Sequence, residues 1–367
     1  MNRSLSAITR AGVLAAALSV ALAGPAAAEP NLVIPIPGIN PIPGINGQPR
    51  GLPRLPGVTQ AVFQMTGMDS PNRTQNVNVL GTDLGIMWDD GNGRMITAFG
   101  DSAGLGIPNL LVGSVWAWSS QVLFHSATKD PSRGISFDGA VTNPLPSPKI
   151  PGVEISLIPT GGISVGGVQY MSLMSVREWG EHGKWQTNFS TLAASGDGGQ
   201  TWAPLTTTRR ANVDGHQNFQ QNAFLKDAGY VYRYGSPAGR QNPGFVSRAR
   251  EADIADIDRY EYWDGKEWKP EATAAAPIVG GVGELSVMWN EHLGKFIMLT
   301  TDPSNSVVLR TAAAPEGPWS EPQVLVDGPT LPSAYAPMIF PYQTGGDLYF
   351  LLSVYNQYNV LLMRTPL

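Results

Sequence analysis

The sequence predicts an all-β fold, a five-bladed β-propeller carrying an Asp-box hairpin, and three observations lead there. The 367 residues include 42 Gly, 31 Pro and ten Trp but only 14% charged side chains. That composition suits many turns and aromatic strands, and excludes both a disordered chain and a Glu/Lys/Leu-rich helical bundle. From about Val58 onward, apolar runs alternate with Gly, Asn and Asp turns. Finally, Ser195-Gly196-Asp197-Gly198-Gly199-Gln200-Thr201-Trp202 fits the pattern S-x-D-x-G-x-T-W.

The N-terminus reads as a secretory signal peptide over residues 1–28. Arg3 and Arg10 form a charged region, residues 12–23 are apolar, and Ala26-Ala27-Ala28 offers a small-residue cleavage site before Glu29. The apolar run is too short to span a membrane. Export to the medium or cell envelope is therefore expected, with no membrane span. A Pro/Gly-rich linker over 29–57 follows, containing two copies of PIPGIN at 35–40 and 41–46. Proline at that density favours extended chain over helix or sheet.

The propeller domain is expected over 58–367. Strands are predicted at residues 84–88, 95–99, 169–176, 230–234, 285–289, 296–300, 305–311 and 348–354. Residues 250–259 can form only a short connector. Asp90-Gly91, Asp197-Gly198, Asp264-Gly265 and Gly345-Gly346-Asp347 are turn pairs that tolerate positive φ. The body allows about 62 residues per blade for five blades, against roughly 40–50 for a four-stranded blade. Blades are expected to start near Val58, Ile150, Asn218, Gly281 and Ala334. The last is short, so the N-terminal strand should complete it and close the ring, which removes sheet edges.

In the Asp-box pattern the carboxylate satisfies backbone N–H groups of the turn and Trp packs beneath. Such boxes join outer strands of propeller blades in sialidases and other propellers. Asp197 is therefore a fold marker rather than a catalytic candidate. Residues 262–268 read as a similar hairpin.

Chemistry concentrates in residues 81–102. This stretch reads as a hairpin turning at Asn92, with Asp83 and Asp101 equidistant from the turn. In a symmetric hairpin the two face each other; a β-bulge would move the register by one residue. Facing like charges destabilise a hairpin. Two carboxylates held together also separate their proton affinities, one ionised and one protonated. Acid–base cleavage of a glycosidic bond requires that division. The competing reading is two turn-capping or cation-binding aspartates.

The set Asp83-Leu84-Gly85, Phe99-Gly100-Asp101-Ser102, Trp118-Ser119-Ser120-Gln121-Val122-Leu123-Phe124, Tyr260-Glu261-Tyr262-Trp263-Asp264-Gly265, Gly283-Glu284-Leu285-Ser286-Val287 and Tyr358-Asn359-Val360 resembles one family in order and spacing. That family is glycoside hydrolase family 183, the endo-D-arabinanases, formerly a domain of unknown function. The resemblance runs over roughly 60–367. It implies a five-bladed propeller that cuts internal α-D-arabinofuranosyl linkages of arabinogalactan and lipoarabinomannan. It also implies that Asp83 and Asp101 are the catalytic pair.

Glu284 is a candidate third carboxylate. Candidate sugar contacts are Trp118, Gln121, Trp179, Gln221, Arg240, Tyr335 and Asn359, since rings meet the C–H faces of sugars and amides or guanidinium groups match hydroxyls. A short carboxylate gap of about 5 Å would imply a retaining course, and more than about 6.5 Å an inverting one. The sequence leaves that open.

Other classes are less well supported. The net charge of −5 argues against nucleic-acid binding. With no cysteine, disulfides and thiolate sites are excluded. His125, His182, His216 and His292 are scattered, so no metal is expected, and no cofactor. Gly162-Ile163-Ser164-Val165-Gly166 matches a nucleophile elbow, but a strand follows where a helix is required. The partner expected is a polysaccharide, arabinan, bound by a monomer. The alternatives are a non-catalytic carbohydrate-binding propeller, or another propeller glycosidase such as a sialidase or L-arabinanase.

Overall fold

Short turns between aromatic and β-branched runs make most segments pair back on their predecessor. A computed structural model describes residues 52–67, 69–105, 116–181 and 183–367. The proposed leader and most of the proposed linker fall within 1–51, outside the described residues, and so does His182.

Blade one is the sheet Leu84–Asp89, Met95–Phe99, Val122–Ser126 and Gly139–Thr142. Blade two is Ser156–Val165, Val168–Trp179, Trp185–Ser195 and Ala203–Ala211. Blade three runs Gln221–Asp227, Tyr230–Ser236, Asn242–Arg250, then the small hairpin Glu261–Trp263 and Trp268–Lys269. Blade four is Ser286–Asn290, Lys295–Thr301, Val307–Ala312 and Gln323–Val326. Blade five is Ala334–Ile339, Asp347–Val354 and Asn359–Pro366, with Gln60–Gln64 as its outermost strand. No α-helix occurs among the described residues. Residues 250–259 form two 3-10 turns, Glu251–Asp253 and Ile257–Arg259. No helix there is long and apolar enough to cross a membrane.

The first strand of each blade contacts the first strand of the next, and Ala334–Ile339 contacts Leu84–Asp89, so the ring is closed. Closure is made by chain ends: Gln60 pairs with Arg364 and Gln64 with Leu361. This meets the expectation for the N-terminal strand and shifts one boundary. The segment near Val58 belongs to blade five, so blade one begins at Leu84. The remaining starts, Ser156, Gln221, Ser286 and Ala334, lie zero to six residues after those expected.

Blades five, one and two share one apolar cluster that includes Phe99, Leu123, Met171, Leu173 and Leu351, and blades three and four pack in further clusters. Trp88 Nε1 donates to Gln169 Oε1 at 3.0 Å, tying blade one to blade two. The inner strands enclose an axial cavity of about 300 Å³ lined by Trp88, Phe224, Val287 and Met338, among others.

The Asp box behaves as a turn device. Asp197 Oδ1 accepts from Gln200 N at 3.1 Å, Thr201 N at 3.0 Å and Ser195 Oγ at 2.7 Å. It joins the third and fourth strands of blade two, and Trp202 meets Trp88 edge-on at 6.4 Å. Those bonds hold the Asp197 carboxyl well below the usual range, led by the Thr201 hydroxyl. The Gly162–Gly166 elbow pattern lies on a strand ending in a hairpin, where Ser164 Oγ donates to Asp90 O at 2.9 Å.

Candidate active site

All five innermost strands start at the same end of the ring. Asp83 precedes the first strand of blade one, Ser156 and Gln221 begin those of blades two and three, Glu284 stands two residues before that of blade four, and Tyr335 is second in that of blade five. Asp101 follows the second strand of blade one, which runs antiparallel and therefore ends there too. The axial cavity is lined from farther along these strands; neither aspartate lines it.

Pairing around Asn92 follows the predicted symmetry from Asp89–Met95 through Ile86–Ala98, then slips, so that Leu84 pairs with Phe99. The slip is a β-bulge at Leu84 and Gly85, whose φ values are 66° and 98°. It corrects the expected facing pair: Gly100 N donates to Asp83 O at 3.0 Å, so Asp83 stands opposite Gly100, one residue short of Asp101. Gly100 is needed there. A Cβ at that position would lie 2.3 Å from Asp83 Oδ1.

The two carboxyl groups still act on each other, and their surroundings differ. Asp83 Oδ2 accepts from the Tyr335 hydroxyl at 2.8 Å, while Oδ1 is sealed from solvent without a hydrogen-bond partner. Burial pushes the Asp83 carboxyl up to about 7. The Tyr335 bond and the Arg240 charge oppose this; the Asp101 and Glu284 charges add to it. Asp101 is buried, 5% exposed. Its Oδ1 accepts a short hydrogen bond from Ser156 Oγ and lies 3.3 Å from Lys149 Nζ. Lys149 Nζ also donates to Ser120 Oγ at 2.6 Å. Burial lowers the Lys149 ammonium, and the Asp101 charge beside it works the other way. Tyr358 OH donates to the Asp101 backbone carbonyl at 2.8 Å. Around neutral pH Asp83 is thus poised to carry a proton, and Asp101 is served by donors suited to a carboxylate.

Glu284 is held by Arg240 through both ends of its carboxylate, Nε to Oε2 at 3.0 Å and Nη2 to Oε1 at 2.7 Å. Local pairing brings them together: Val279–Val282 lies antiparallel to Asn242–Arg250, and Gln241 N donates to Val282 O at 2.7 Å. The Arg240 guanidinium lies 4.5 Å from the Tyr335 ring centre and 5.6 Å from that of Trp185. Trp185 meets Trp179 at 5.8 Å, and Trp179 is 41% exposed. A continuous row therefore runs from Asp83 through Tyr335, Arg240 and Trp185 out to Trp179.

Three candidate contacts are scaffold instead. Gln121 is fully buried; its amide donates to Leu157 O and accepts from Leu145 N, joining blades one and two. Gln221 donates to the carbonyls of Pro237 and Gly239, anchoring the loop that delivers Arg240. Asn359 is fully buried, with its amide packed over Gly67. The Trp118 side chain lies outside the described residues; its backbone is in the strand Trp116–Ser119.

Sequence reasoning missed Lys149, Ser156 and Tyr355, and gave no site role to Ser120 and Tyr358, which lie within the quoted motifs. Lys149 and Ser156 lie 48 and 55 residues from Asp101, on the loop and first strand that begin blade two. No local pattern marks them. Tyr355, 49% exposed, meets Tyr335 at 6.5 Å and Tyr358 at 6.3 Å, which puts an exposed ring on the rim near both aspartates.

Comparison with known proteins follows the same geometry. A family model described as "Domain of unknown function (DUF4185)" matches residues 69–364. Notoamide biosynthesis cluster protein J of Aspergillus sp. (strain MF297-2) is 28% identical over 307 residues, covering 75% of this chain and 80% of the relative. A solved protein of Bacteroides ovatus ATCC 8483 aligns with a TM-score of 0.55 at 13% identity, covering 78% of this chain and 86% of that one. The α-L-arabinofuranosidase of Podospora anserina, solved in complex with cellotriose, aligns with a TM-score of 0.51 at 11% identity, covering 86% and 98%. At such identities the structural likeness concerns the fold, which is shared with propeller glycoside hydrolases.

Proposed function

The chain belongs to the DUF4185 family, and we propose that it is an exported endo-D-arabinanase with Asp83 and Asp101 as its catalytic pair. The observation that carries the reading is the unequal environment of the two carboxyls. Asp83, raised to about 7 by burial, supplies the proton that a leaving sugar oxygen needs. Asp101, beside Lys149 and Ser156, supplies the negative charge that activates water or meets the anomeric carbon. A general acid tuned near the working pH and an ionised partner are the two requirements of glycosidic cleavage.

Glu284, gripped by Arg240, adjusts this pair from the side rather than entering the reaction. Its charge raises Asp83 and that of Arg240 lowers it. Trp179, Tyr335 and Tyr355 supply ring surface on which furanose units rest. Exposed rings at Trp179 and Tyr355 suit a polymer that continues past the cleavage point, hence internal cutting. The D-arabinan assignment itself rests on the ordered motifs that resemble those of family 183. In this reading residues 1–28 are the leader, 29–57 the linker and 58–367 the catalytic propeller.

Incubation of the mature protein with purified D-arabinan and, separately, L-arabinan tests the proposal. Short oligosaccharides should appear by chromatography from D-arabinan only. Release from L-arabinan alone would overturn the substrate, and no release from either would overturn the activity.

A further inference from the structure

Arg210 and Arg233 are both 1% exposed and lie between blades two and three, away from Asp83. Arg210 is on the outermost strand of blade two, Ala203–Ala211, and Arg233 on the second strand of blade three, Tyr230–Ser236. A guanidinium stays protonated at neutral pH, so both are buried cations. Burial and the Arg210 charge push Arg233 down to about 9, still well above neutrality.

Buried charge is ordinarily paired with opposite charge. Among the described residues neither arginine has an ion-pair partner, whereas Arg240, Arg248 and Arg364 each hold a carboxylate. Arg233 Nε donates to Asn222 Oδ1 at 2.6 Å, and its Nη2 approaches Ser190 Oγ at 3.3 Å and Ser172 Oγ at 3.4 Å. All three partners are neutral. Arg210 Nη1 donates to Tyr262 OH at 2.5 Å and approaches His216 Nδ1 at 3.1 Å. Burial and the two arginines push His216 down to about 4, so it is neutral as well. Asp214 acts on His216 from a distance, but it is exposed and pairs with neither arginine.

The remaining edge of Arg210 is the informative part. Nε and Nη2 are both sealed from solvent and have no hydrogen-bond partner. These are the same two atoms with which Arg240 grips Glu284. In one arginine that fork holds two carboxylate oxygens; in the other it is aimed at no acceptor. Rings of Tyr260, Tyr262 and Phe219, whose centres lie 4.6–5.8 Å from the Arg210 guanidinium, offset part of the cost through cation–π attraction. None of them supplies an oxygen or nitrogen acceptor to Nε or Nη2.

We propose that Arg210 and Arg233 bind a small inorganic monoanion of the chloride class, seated on the Nε/Nη2 edge of Arg210. The ion supplies the missing charge and both acceptors, and it ties blade two to blade three as the Lys149–Asp101 pair ties blade two to blade one.

The test is to purify the full mature protein in sodium bromide and collect diffraction at the bromine edge and at long wavelength, so that bromide or retained chloride is seen. An anomalous peak within hydrogen-bond distance of Arg210 Nε and Nη2 is expected. Water alone there, or a carboxylate drawn onto Arg210, would overturn the proposal. In solution, replacing gluconate by chloride or bromide at constant ionic strength should raise Tm saturably, by roughly 2–5 °C. Arg210→Met, where it folds, should lose that dependence. Identical wild-type Tm in all three salts, with no anomalous peak, would also count against the site.

Discussion

The Tyr335 hydroxyl donates to Asp83 Oδ2 at 2.8 Å across the junction of blades five and one, 252 residues apart in the chain. That single bond partners one carboxyl oxygen and leaves the other sealed over Gly100 without a partner. Burial of that oxygen favours the protonated acid, the form the proposed reaction needs in its proton donor.

Replacing Asp83 by Asn should abolish activity and stabilise the fold. Asp83 rises from 3.8 to about 7 in the native state, so the folded protein holds a proton that the unfolded chain releases. Stability associated with Asp83 is complete below pH 4 and is lost as pH rises toward 7. Asp83→Asn removes that loss, so at pH 8 it should be more stable than wild type by on the order of 2–4 kcal/mol. Denaturant melts at pH 4 and pH 8 check this: the gain should appear at pH 8 and vanish at pH 4.

The pH–rate profile should move in opposite directions for two neighbours. Activity of the wild type should fall as pH climbs past about 7, when Asp83 loses its proton. Tyr335→Phe removes a bond that lowers Asp83, so its alkaline limb should shift upward. Glu284→Gln removes a charge that raises Asp83, so its limb should shift downward. Initial rates on D-arabinan from pH 4 to 9 would show it. Limbs moving together would contradict the assignment.

Lys149→Met should cost about 10–100-fold in kcat. The change leaves Asp101, 5% exposed, without its cation in a buried setting, which penalises the charged form. The acid-side limb of the profile should rise accordingly. Lys149→Arg should recover part of the rate because it restores the charge.

Deleting residues 58–66 should cripple folding without touching the site. Gln60–Gln64 covers the outer edge of Asn359–Pro366, and its loss exposes a long apolar strand edge. Calorimetry should show a broadened, less cooperative transition, and light scattering should show aggregation.

Asp197→Ala should lower Tm yet keep kcat/KM within about twofold. Its carboxylate accepts from four groups of the turn on blade two and touches nothing near Asp83. A large loss of activity at a temperature where the variant is folded would overturn its reading as a turn residue.

Much of the architecture is legible in the sequence. Strand 95–99 matches to the residue, and four of five blade starts fall within six positions. The Asp box and the Asp90-Gly91 turn are local devices, readable because a short loop and its side chains determine one conformation. Asp83 and Asp101 were also legible as neighbours, since a hairpin's symmetry needs no long-range contact. The bulge at Leu84 and Gly85 was not, because it follows from how blade one meets blade five: Leu84 N donates to Ser353 Oγ at 2.7 Å, and a Cβ at Gly85 would meet Leu351.

Gln121 and Gln221 illustrate the other kind of miss. Placed beside strand starts, they read as sugar-binding amides, but each is enclosed by backbone carbonyls or N–H groups that only packing brings near.

By itself the sequence determined the class of fold, the turns and the nearness of two acidic residues, Asp83 and Asp101, all of which depend on residues close in the chain. Tertiary structure decided which carboxyl keeps a proton, which one receives Lys149 and where Arg240 finds Glu284. Those outcomes depend on desolvation and on charges delivered by other blades, and neither is encoded in any single segment.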